Sequence, residues 1–273
     1  MPGLRPSGRR RRRALSEPAA PSSAVGESFV SSGLRISAHL ARPTTLSREV
    51  PGVVLCHGFP TGIASAAATA ASFPQLADRI AIDMGWMVLS FNFRGSGQSQ
   101  GDFSLAGWLD DVHAAIDHLQ AVDRVRSVWL AGFGTGGALC ICAGALRPDV
   151  EGVAALGVPA DFDDWADHPR RILEHARDLD LITSPGFPPS QDAWSREFRT
   201  IRPSTAVSDL ADRPLLLVHG SDDEAVPHFD ARVLGDAHGR AELRIIAGAG
   251  HQLRHDPRAI AILLGWLDRH HHT

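Results

Sequence analysis

One stretch near the middle of the chain, residues 128–139, constrains the fold more than any other and reads VWLAGFGTGGAL. Its first four residues are apolar, which predicts a buried strand. Four glycines follow within the next six residues, and glycine is the residue that sharp turns favour. The alanine-, leucine- and cysteine-rich segment after them has the composition of a buried helix. The stretch therefore predicts a strand, a tight turn and a helix in direct succession.

These glycines fall at the spacing of a G-x-S-x-G motif, which presents a nucleophilic serine on a strained turn between a strand and a helix. In this chain the motif reads Gly132-Phe133-Gly134-Thr135-Gly136, so that Gly134 stands at the position of the serine. A residue with a Cβ atom is strained in such a turn by about 1–3 kcal/mol, whereas glycine adopts the backbone at little cost. The sequence therefore predicts that the turn persists while the attacking hydroxyl is absent.

Two other hydroxyls come into question as nucleophiles. Ser99 lies in a literal G-x-S-x-G match at residues 97–101, but it follows a different strand and leads towards a helix cap at Ser104. Thr135 directly follows Gly134, and its side chain is expected to leave the turn in a different direction. We therefore favour neither hydroxyl as a nucleophile.

The length and composition fit one domain. With 273 residues and 44% hydrophobic content, the chain can bury one large core. Apolar runs alternate with helical patterns, which predicts a mostly parallel sheet covered by helices on both faces, in one domain over residues 27–273. This rhythm is lost over residues 160–203, which predict a small helical cap inserted over the sheet. Residues 1–26 carry six arginines against one glutamate and predict a disordered basic tail.

Periodicity and turn residues predict the individual elements. A hairpin of antiparallel edge strands is expected over residues 28–43, with its turn at Ser31-Ser32-Gly33. Helical structure is expected over residues 65–84, with Pro74 as a break or a restart. Ser104 is expected to cap the helix that follows it. Further strands are predicted at residues 53–56, 86–91, 153–158, 215–218 and 243–246.

Residue usage excludes several kinds of chemistry. The chain has no lysine, so a lysine Schiff base and the lysine of a phosphate-binding P-loop are both excluded. Cys140 and Cys142 lie two apart on a predicted helix, where side chains do not face each other. Neither an H-E-x-x-H nor a C-x-x-C motif occurs. We therefore expect no metal and no cofactor.

The location and the partners follow from similar arguments. Cys56, Cys140 and Cys142 all fall in predicted core elements, which is typical of a reducing compartment, and we expect a cytoplasmic location. No apolar run approaches the roughly 20 residues that a membrane span needs, so no membrane partner is expected. The arginine-rich tail could contact nucleic acid or anionic lipid, but a solvated tail is the simpler interpretation and no nucleic-acid partner is expected.

Five short motifs follow the predicted strands in order. They are residues 57–59 (HGF), 94–99 (RGSGQS), 132–136 (GFGTG), 220–227 (GSDDEAVP) and 248–251 (GAGH). In a parallel sheet such loops share the carboxyl edge of the strands, where ligands bind. Their order and separations resemble the α/β-hydrolase superfamily, in particular its dienelactone-hydrolase-like and prolyl-oligopeptidase-like serine hydrolases. The resemblance covers about residues 28–269.

The resemblance implies roles for single residues. Asp223 matches the acid of the catalytic triad and His251 matches its histidine, while Gly134 takes the place of the nucleophilic serine. Asp222 is a rival for the acid, but the spacing of the G-x-x-D-x-x-V-P pattern favours Asp223. The family therefore implies a triad from which only the attacking oxygen is missing.

The resemblance also implies an oxyanion hole formed by the backbone amides of Phe59 and Thr135. A small-molecule ligand or substrate is expected under the cap, although its identity does not follow from the sequence, nor does the oligomeric state. Packing within the cap is an equally good interpretation of every aromatic candidate for the pocket wall. These candidates are Phe162, Trp165, Phe187 and Trp194.

Three interpretations of the missing serine remain open. The favoured one is an atypical hydrolase of the esterase type, in which His251 and Asp223 act as a general base on an ester- or amide-like small molecule. The alternative is a catalytically silent protein that binds a small molecule or a protein in the inherited pocket. The third is an ordinary esterase or peptidase whose serine has been replaced by engineering, against which the native-looking glycine-rich turn argues.

Overall fold

The computed structural model of the chain describes residues 26–45 and 48–271, without the side chains of residues 63–71. The basic tail predicted for residues 1–26 lies outside these ranges except for Gly26. The described chain forms an eight-stranded sheet with helices on both faces, and the predicted α/β architecture is confirmed.

Strands and helices alternate along most of the described chain. The strands are β1 (Ser28–Ser31), β2 (Leu34–Ala41), β3 (Val50–Cys56), β4 (Met87–Phe91), β5 (Val125–Phe133), β6 (Val150–Leu156), β7 (Leu215–Gly220) and β8 (Glu242–Ile246). The helices are α1 (Ile63–Met84), α2 (Leu105–Gln120), α3 (Thr135–Leu146), α4 (Asp163–Asp167), α5 (Pro169–Asp178), α6 (Gln191–Thr200), α7 (Pro203–Ala206), α8 (Phe229–His238) and α9 (Pro257–His270). Two short 3₁₀ turns cover Val207–Leu210 and Leu253–His255.

The sheet is parallel except at one side. Its strand order is β1-β2-β4-β3-β5-β6-β7-β8. Strand β2 pairs antiparallel with both β1 and β4, so the predicted hairpin is present at the edge, and its turn residues Ser32 and Gly33 both have positive φ. The strands from β4 to β8 in this order all pair in parallel. Their carboxyl ends therefore lie at one edge, and the loops that leave them meet there.

Alternate residues of the central strands pack on opposite faces of the sheet. On β3, Val54 and Cys56 belong to the apolar core that contains α2 and α3, whereas Val53 and Leu55 belong to the core that contains α1 and α9. Helices cover both faces, so both sets of side chains are apolar. This explains why the strands read as continuous apolar runs rather than as alternating ones.

Helix α1 continues through Pro74, and the break or restart predicted there is wrong. Proline removes one backbone hydrogen bond and bends a helix, but packing on both sides of the proline can keep the helix continuous. Phe73, Ala77 and Ile80 are all buried against the sheet face that also carries α9. This burial stabilises the turn before the proline together with the turns after it.

A buried ion pair holds the loop after β4. The guanidinium of Arg94 donates to Oδ1 of Asp111 from Nη2 at 2.8 Å and from Nε at 3.1 Å, and the Arg94 amide donates to Oδ2 at 2.8 Å. The Asp111 side chain has no exposed surface. It projects from α2, whose start is capped as predicted, because the Ser104 hydroxyl accepts the amide of Gly107 at 3.0 Å. The loop after β4 is thereby fixed to the helix that follows it.

Helices α4 to α7 lie in the connection between β6 and β7 (residues 157–214, called the β6–β7 connection below). Phe162, Leu173 and Phe198 from these helices and the turn before them belong to the same apolar core as α2. Trp194 of α6 is also buried and donates its indole N–H to the carbonyl of Phe103 at 3.2 Å. The β6–β7 connection is therefore packed on the domain core by apolar contacts.

Candidate active site

The turn between β5 and α3 is centred on Gly134. Its backbone angles, φ 52° and ψ −127°, lie in a region that residues with a Cβ atom rarely adopt. Its amide donates to the carbonyl of Leu156 on β6 at 2.8 Å, and its carbonyl accepts the amide of Ala138 at 3.1 Å. The predicted strand, turn and helix are therefore present, and hydrogen bonds tie the turn to the neighbouring strand.

Gly136 allows the loop after β3 to approach the start of α3. A Cβ atom at Gly136 would collide with the carbonyl oxygen of His57. One residue further along that loop, Cα of Gly58 lies 3.7 Å from the position of a Cβ atom on Gly134. Two glycines at the start of α3 thus bring the loop after β3 and the Gly134 turn into contact.

Replacing Gly134 by alanine is expected to lower the free energy of unfolding by about 1–3 kcal/mol. The added Cβ would lie 3.7 Å from both Cα of Gly58 and Nε2 of His251, which are ordinary contact distances, so strain in the backbone causes the loss. Urea unfolding measures it. Gly186→Ala is the matched control, because a Cβ there meets no atom within 4 Å and the φ is not positive. Equal stability of Gly134→Ala and the parent protein would show that the turn is unstrained.

His251 and Asp223 form a hydrogen-bonded pair. Nδ1 of His251 lies 2.9 Å from Oδ2 of Asp223. The two loops follow β8 and β7, which are neighbouring parallel strands, so both side chains start from the same edge of the sheet. Asp222, the rival in the sequence, is exposed and accepts the Ser221 hydroxyl at 2.6 Å instead. Of the two aspartates, Asp223 is therefore the one that contacts the histidine.

A second histidine, His219 on β7, also contacts Asp223, and the sequence analysis missed it. Its Nε2 lies 3.2 Å from Oδ2 of Asp223 and 3.0 Å from the carbonyl oxygen of Val226. Both partners are acceptors, so Nε2 of His219 carries the proton and donates. The side chains of His219 and Asp223 have no exposed surface. The only signal in the sequence was a polar residue within the apolar run LLLVHG.

Hydrogen bonds to Asp223 outweigh the cost of its burial. Burial by itself raises the pKa of this carboxyl, but hydrogen bonds from His219, from His251 and from the amide of Val226 at 2.9 Å bring the pKa well below its usual range. Asp223 is therefore ionised at neutral pH. A carboxylate at Nδ1 of His251 holds the proton on that nitrogen and leaves Nε2 as the basic one.

The imidazole of His251 faces the Gly134 turn. Its Nε2 lies 3.7 Å from the position of a Cβ atom on Gly134, and its Cε1 lies 3.9 Å from the same point. The side chain is 24% exposed, so the ring is accessible to a ligand. The acid, the histidine and the glycine, which are far apart in the chain, thus meet at the carboxyl edge of the sheet.

Phe59 lies in the loop after β3, and the buried His57 holds this loop. Nδ1 of His57 lies 2.8 Å from the carbonyl oxygen of Gly58, and Nε2 accepts the amide of Phe93 at 3.3 Å. Burial, together with the nearby charge of Arg254, lowers the pKa of His57 to about 4 against the opposing effect of the hydrogen bond to Gly58. The ring is therefore neutral at pH 7, which is the state in which Nε2 can accept.

A pocket of about 460 Å³ opens beside Gly134 and His251. Both Phe59 and Thr135 line it. Thr135 is the first residue of α3, so its amide has no acceptor within the helix and is available to a ligand. The pocket therefore brings together the turn, the histidine and the two residues expected to supply backbone donors.

The β6–β7 connection supplies part of the pocket wall. Phe162 and Trp165 line the pocket, and the rings of Trp165 and Phe59 are 5.1 Å apart. Phe187 and Trp194, also predicted as wall residues, are not part of this lining. Trp194 is buried in the core instead, where its indole satisfies a backbone carbonyl, and Phe187 packs against the same core.

The Ser99 hydroxyl is engaged in backbone hydrogen bonds. It accepts the amide of Ser37 at 2.9 Å and donates to the carbonyl of Asn92. These contacts tie the loop after β4 to β2. The Ser99 hydroxyl therefore has a structural role in this loop.

Residues 26–45 and 48–271 contain neither a side-chain group that could hold a metal ion nor a helix that could span a membrane. No group of three or more His, Cys, Asp or Glu side chains there is arranged to hold a metal ion. None of the helices in these ranges combines the length and the apolar composition of a membrane span. Cys56, Cys140 and Cys142 are free and buried.

The fold and the site point to one class of protein. Residues 53–263 match the model of the alpha/beta hydrolase family, and this region contains the Gly134 turn, Asp223 and His251. The chain therefore belongs to the alpha/beta hydrolase family.

Individual relatives are more distant. The chain is similar to a protein named Uncharacterized protein YfhR from Escherichia coli O157:H7, at 30% identity over 143 residues, which are 51% of this chain and 44% of that protein. The corresponding protein of Escherichia coli K12 is 29% identical over the same length. The chain thus spans less than half the length of these relatives.

Solved structures support the fold. Est1E from Butyrivibrio proteoclasticus, with ferulic acid bound, is 22% identical, with a TM-score of 0.67 over 90% of this chain and 97% of that one. The alpha/beta hydrolase GrgF from Penicillium sp. sh18 is 19% identical, with a TM-score of 0.70 over 90% of this chain and 98% of that one. At these identities the likeness concerns the fold alone.

Proposed function

We propose that this protein is an atypical esterase-type hydrolase in which His251, held by Asp223, activates water directly. The observation that carries the proposal is the position of Nε2 of His251, 3.7 Å from the Cβ position of residue 134 and paired through Nδ1 with a buried carboxylate. A protein that retained only the fold would have no use for a histidine aligned by a buried carboxylate, since burying a carboxylate is costly. The intact pair therefore supports a catalytic use.

Gly134 is proposed to stand where related hydrolases carry the nucleophilic serine. The strained backbone angles and the position directly before α3 support this assignment. Without a hydroxyl on residue 134, no acyl-enzyme can form there. A water molecule on Nε2 of His251 would then replace the serine oxygen as the attacking group.

The backbone amides of Phe59 and Thr135 are proposed to bind the carbonyl oxygen of the substrate. Both residues line the pocket beside Gly134, and the N-terminus of the 12-residue α3 points its free amides at the same place. Donors in such positions stabilise the negative charge that develops on the oxygen in the transition state.

The proposed reaction needs one proton shuttle. Nε2 of His251 takes a proton from water as the water oxygen bonds to the carbonyl carbon, and the resulting imidazolium is stabilised by Asp223. The tetrahedral intermediate then expels the alcohol or amine, which receives the proton from Nε2. The products are the acid and the alcohol or amine, and His251 returns to its starting state.

The proposed substrate is a small ester or amide bound under residues 157–214. Phe162 and Trp165 give the 460 Å³ pocket an aromatic wall, which suits an apolar substituent.

The free, buried cysteines support the proposed reducing, cytoplasmic location.

The alternative is a catalytically silent protein that binds a small molecule in the same pocket. The pocket beside Gly134 is formed without any serine oxygen, so binding does not depend on the missing group. Without a nucleophile, the oxyanion donors alone provide only weak catalysis, about 10³–10⁴-fold over water in serine hydrolases that lack triad members.

Replacing His251 by alanine is expected to lower turnover of 4-nitrophenyl butyrate by about 10²–10⁴-fold, the usual contribution of a general base. The steady-state release of 4-nitrophenolate measures the loss, and the parent protein is expected to show no initial burst because no acyl-enzyme accumulates. His255→Ala is the matched control, since His255 is an exposed histidine four residues further along and is expected to leave the rate unchanged. Unchanged turnover in His251→Ala would favour the silent binding protein.

A fluorophosphonate probe provides the complementary measurement. The parent protein is expected to remain unlabelled, because the probe reacts with an activated hydroxyl. Labelling that maps to Ser99 or Thr135 would contradict both interpretations and show that the nucleophile lies elsewhere in the chain.

A further inference from the structure

Arg254 is a charged residue beside the candidate active site that the proposed reaction does not use. It lies in the 3₁₀ turn Leu253–His255, three residues after His251. In the described ranges it has neither a hydrogen bond nor an ion pair from its side chain, and its Nε atom is buried without a partner. Burial lowers the pKa of Arg254 from its ordinary value, with no carboxylate to oppose the shift. A guanidinium nevertheless stays charged in proteins, so an unpaired cation lies there.

Arg254 lines a small cavity next to the reacting centre. The cavity has a volume of about 30 Å³ and is also lined by Gly58, Phe59, Gly134 and His251. About two water-sized groups fit into a space of this volume. Its size therefore suits the two oxygens of one carboxylate.

The larger pocket, which shares Gly134 and His251 with the cavity, is lined by acidic rather than basic side chains. The charged side chains that line its 460 Å³ are Asp161, Asp164 and Asp230, and no arginine is among the described residues of this lining. Asp161 and Asp164 are paired with Arg202 and Arg171, whereas Asp230 has no ion pair with an arginine in the described ranges. An anionic group is therefore better placed in the small cavity, beside Arg254, than beside Asp230. The two charges of opposite sign define an orientation for a ligand that reaches both spaces.

We propose that the cavity at Arg254 is a carboxylate subsite, and that the ligand of this protein is a carboxylate with an apolar or aromatic body that extends into the larger pocket. The guanidinium fork matches the two oxygens of a carboxylate, and its terminal nitrogens donate to them. A carboxylate also compensates the half-buried cation, which has no other partner among the residues that the structure describes. The expected binding of a carboxylate does not depend on the proposed hydrolysis. The statements about turnover rest on the proposed function.

The binding test uses 3-phenylpropanoate and its neutral analogue 3-phenylpropanamide, measured by isothermal titration calorimetry. The parent protein is expected to bind the carboxylate at least tenfold more tightly than the amide, as the loss of one charge-assisted hydrogen bond implies. Arg254→Gln is expected to abolish this preference, and Arg254→Lys, which keeps the charge but not the fork, to retain part of it. Equal binding of the two compounds by the parent protein would overturn the subsite.

Arg240→Gln is the matched control. The Arg240 side chain is 70% exposed. Arg240 follows the carboxyl end of α8, whereas Asp230, which lines the larger pocket, lies near the amino end of that helix. This variant loses the same unit of charge and is expected to keep the tenfold preference. A preference that persists in Arg254→Gln, or that disappears equally in Arg240→Gln, would contradict a local role of Arg254.

The carboxylate could belong to the substrate or to the product of hydrolysis, and a pair of esters distinguishes the two. If it belongs to the substrate, the 4-nitrophenyl half-ester of glutaric acid is expected to have at least tenfold higher kcat/KM than its methyl ester, with no difference in Arg254→Gln. If it belongs to the product, the two esters react equally, and 3-phenylpropanoate inhibits the parent but not Arg254→Gln. Binding that depends on Arg254 without turnover of either ester would overturn the proposed hydrolysis and leave the subsite supported.

Discussion

Replacing Gly134 by serine is expected to create fluorophosphonate labelling that the parent protein lacks. A Cβ on residue 134 lies 3.7 Å from Nε2 of His251, so a hydroxyl on that carbon reaches hydrogen-bond distance of the imidazole. Asp223 already holds the ring, and Thr135 offers a free helix amide. We expect turnover of 4-nitrophenyl butyrate to rise by about 10²-fold or more, and a burst of 4-nitrophenolate to appear as an acyl-enzyme accumulates.

Two variants control for other effects of this change. Gly134→Ala carries the same backbone strain without the oxygen and is expected to gain neither labelling nor turnover. The double variant Gly134→Ser/His251→Ala keeps the oxygen without its base and is expected to lose most of the gain. A folded Gly134→Ser protein that stays unlabelled would mean that the donors and the histidine no longer form a working site, and would favour the silent binding protein.

Replacing Asp111 by alanine is expected to destabilise the fold by about 3–5 kcal/mol. The change removes the carboxylate that accepts two hydrogen bonds from the Arg94 guanidinium and a third from the Arg94 amide, and the Arg94 side chain is only 11% exposed. Urea unfolding followed by circular dichroism measures the loss. A loss of about 3–5 kcal/mol is a large fraction of the 5–15 kcal/mol by which a typical domain is stable, so reduced soluble yield is expected as well.

Asp110→Ala is the matched control for this prediction. Asp110 precedes Asp111 on the same helix, is 57% exposed at its side chain and lies 3.9 Å from the same guanidinium. An exposed pair of this kind contributes no more than about 1 kcal/mol. Similar losses in the two variants would show that burial of Asp111 does not set the strength of the interaction.

Local signals were sufficient for most of the fold. The glycine-rich turn, the cap at Ser104 and the hairpin turn at Ser32 and Gly33 each depend on residues that are neighbours in the chain. The strands were visible as apolar runs because helices cover the sheet on both faces. Pro74 was misjudged because its local effect is to break a helix, whereas the burial of Phe73 and Ala77 on the sheet opposes that effect.

The candidate site was only partly accessible to sequence reasoning. Asp223 and His251 were found through the resemblance to a known family, and their motifs stand out as polar loops after apolar strands. His219 and Arg254 were missed, because a single histidine in a strand and a single arginine after a motif carry no pattern. Phe187 and Trp194 were named as wall residues from their type, but an aromatic side chain suits a core as well as a pocket.

The sequence by itself determined which groups this protein has for chemistry. It places glycine at residue 134, it contains no lysine, and it spaces its loops so that they follow parallel strands. The tertiary structure alone decided which of these groups touch. Asp223 rather than Asp222 contacts His251, and His219 adds a second hydrogen bond to that carboxylate. Arg254 lies beside the Gly134 turn with no partner within residues 26–45 and 48–271. The physical reason is that contacts and burial depend on residues from separate strands, and these become neighbours only when the sheet forms.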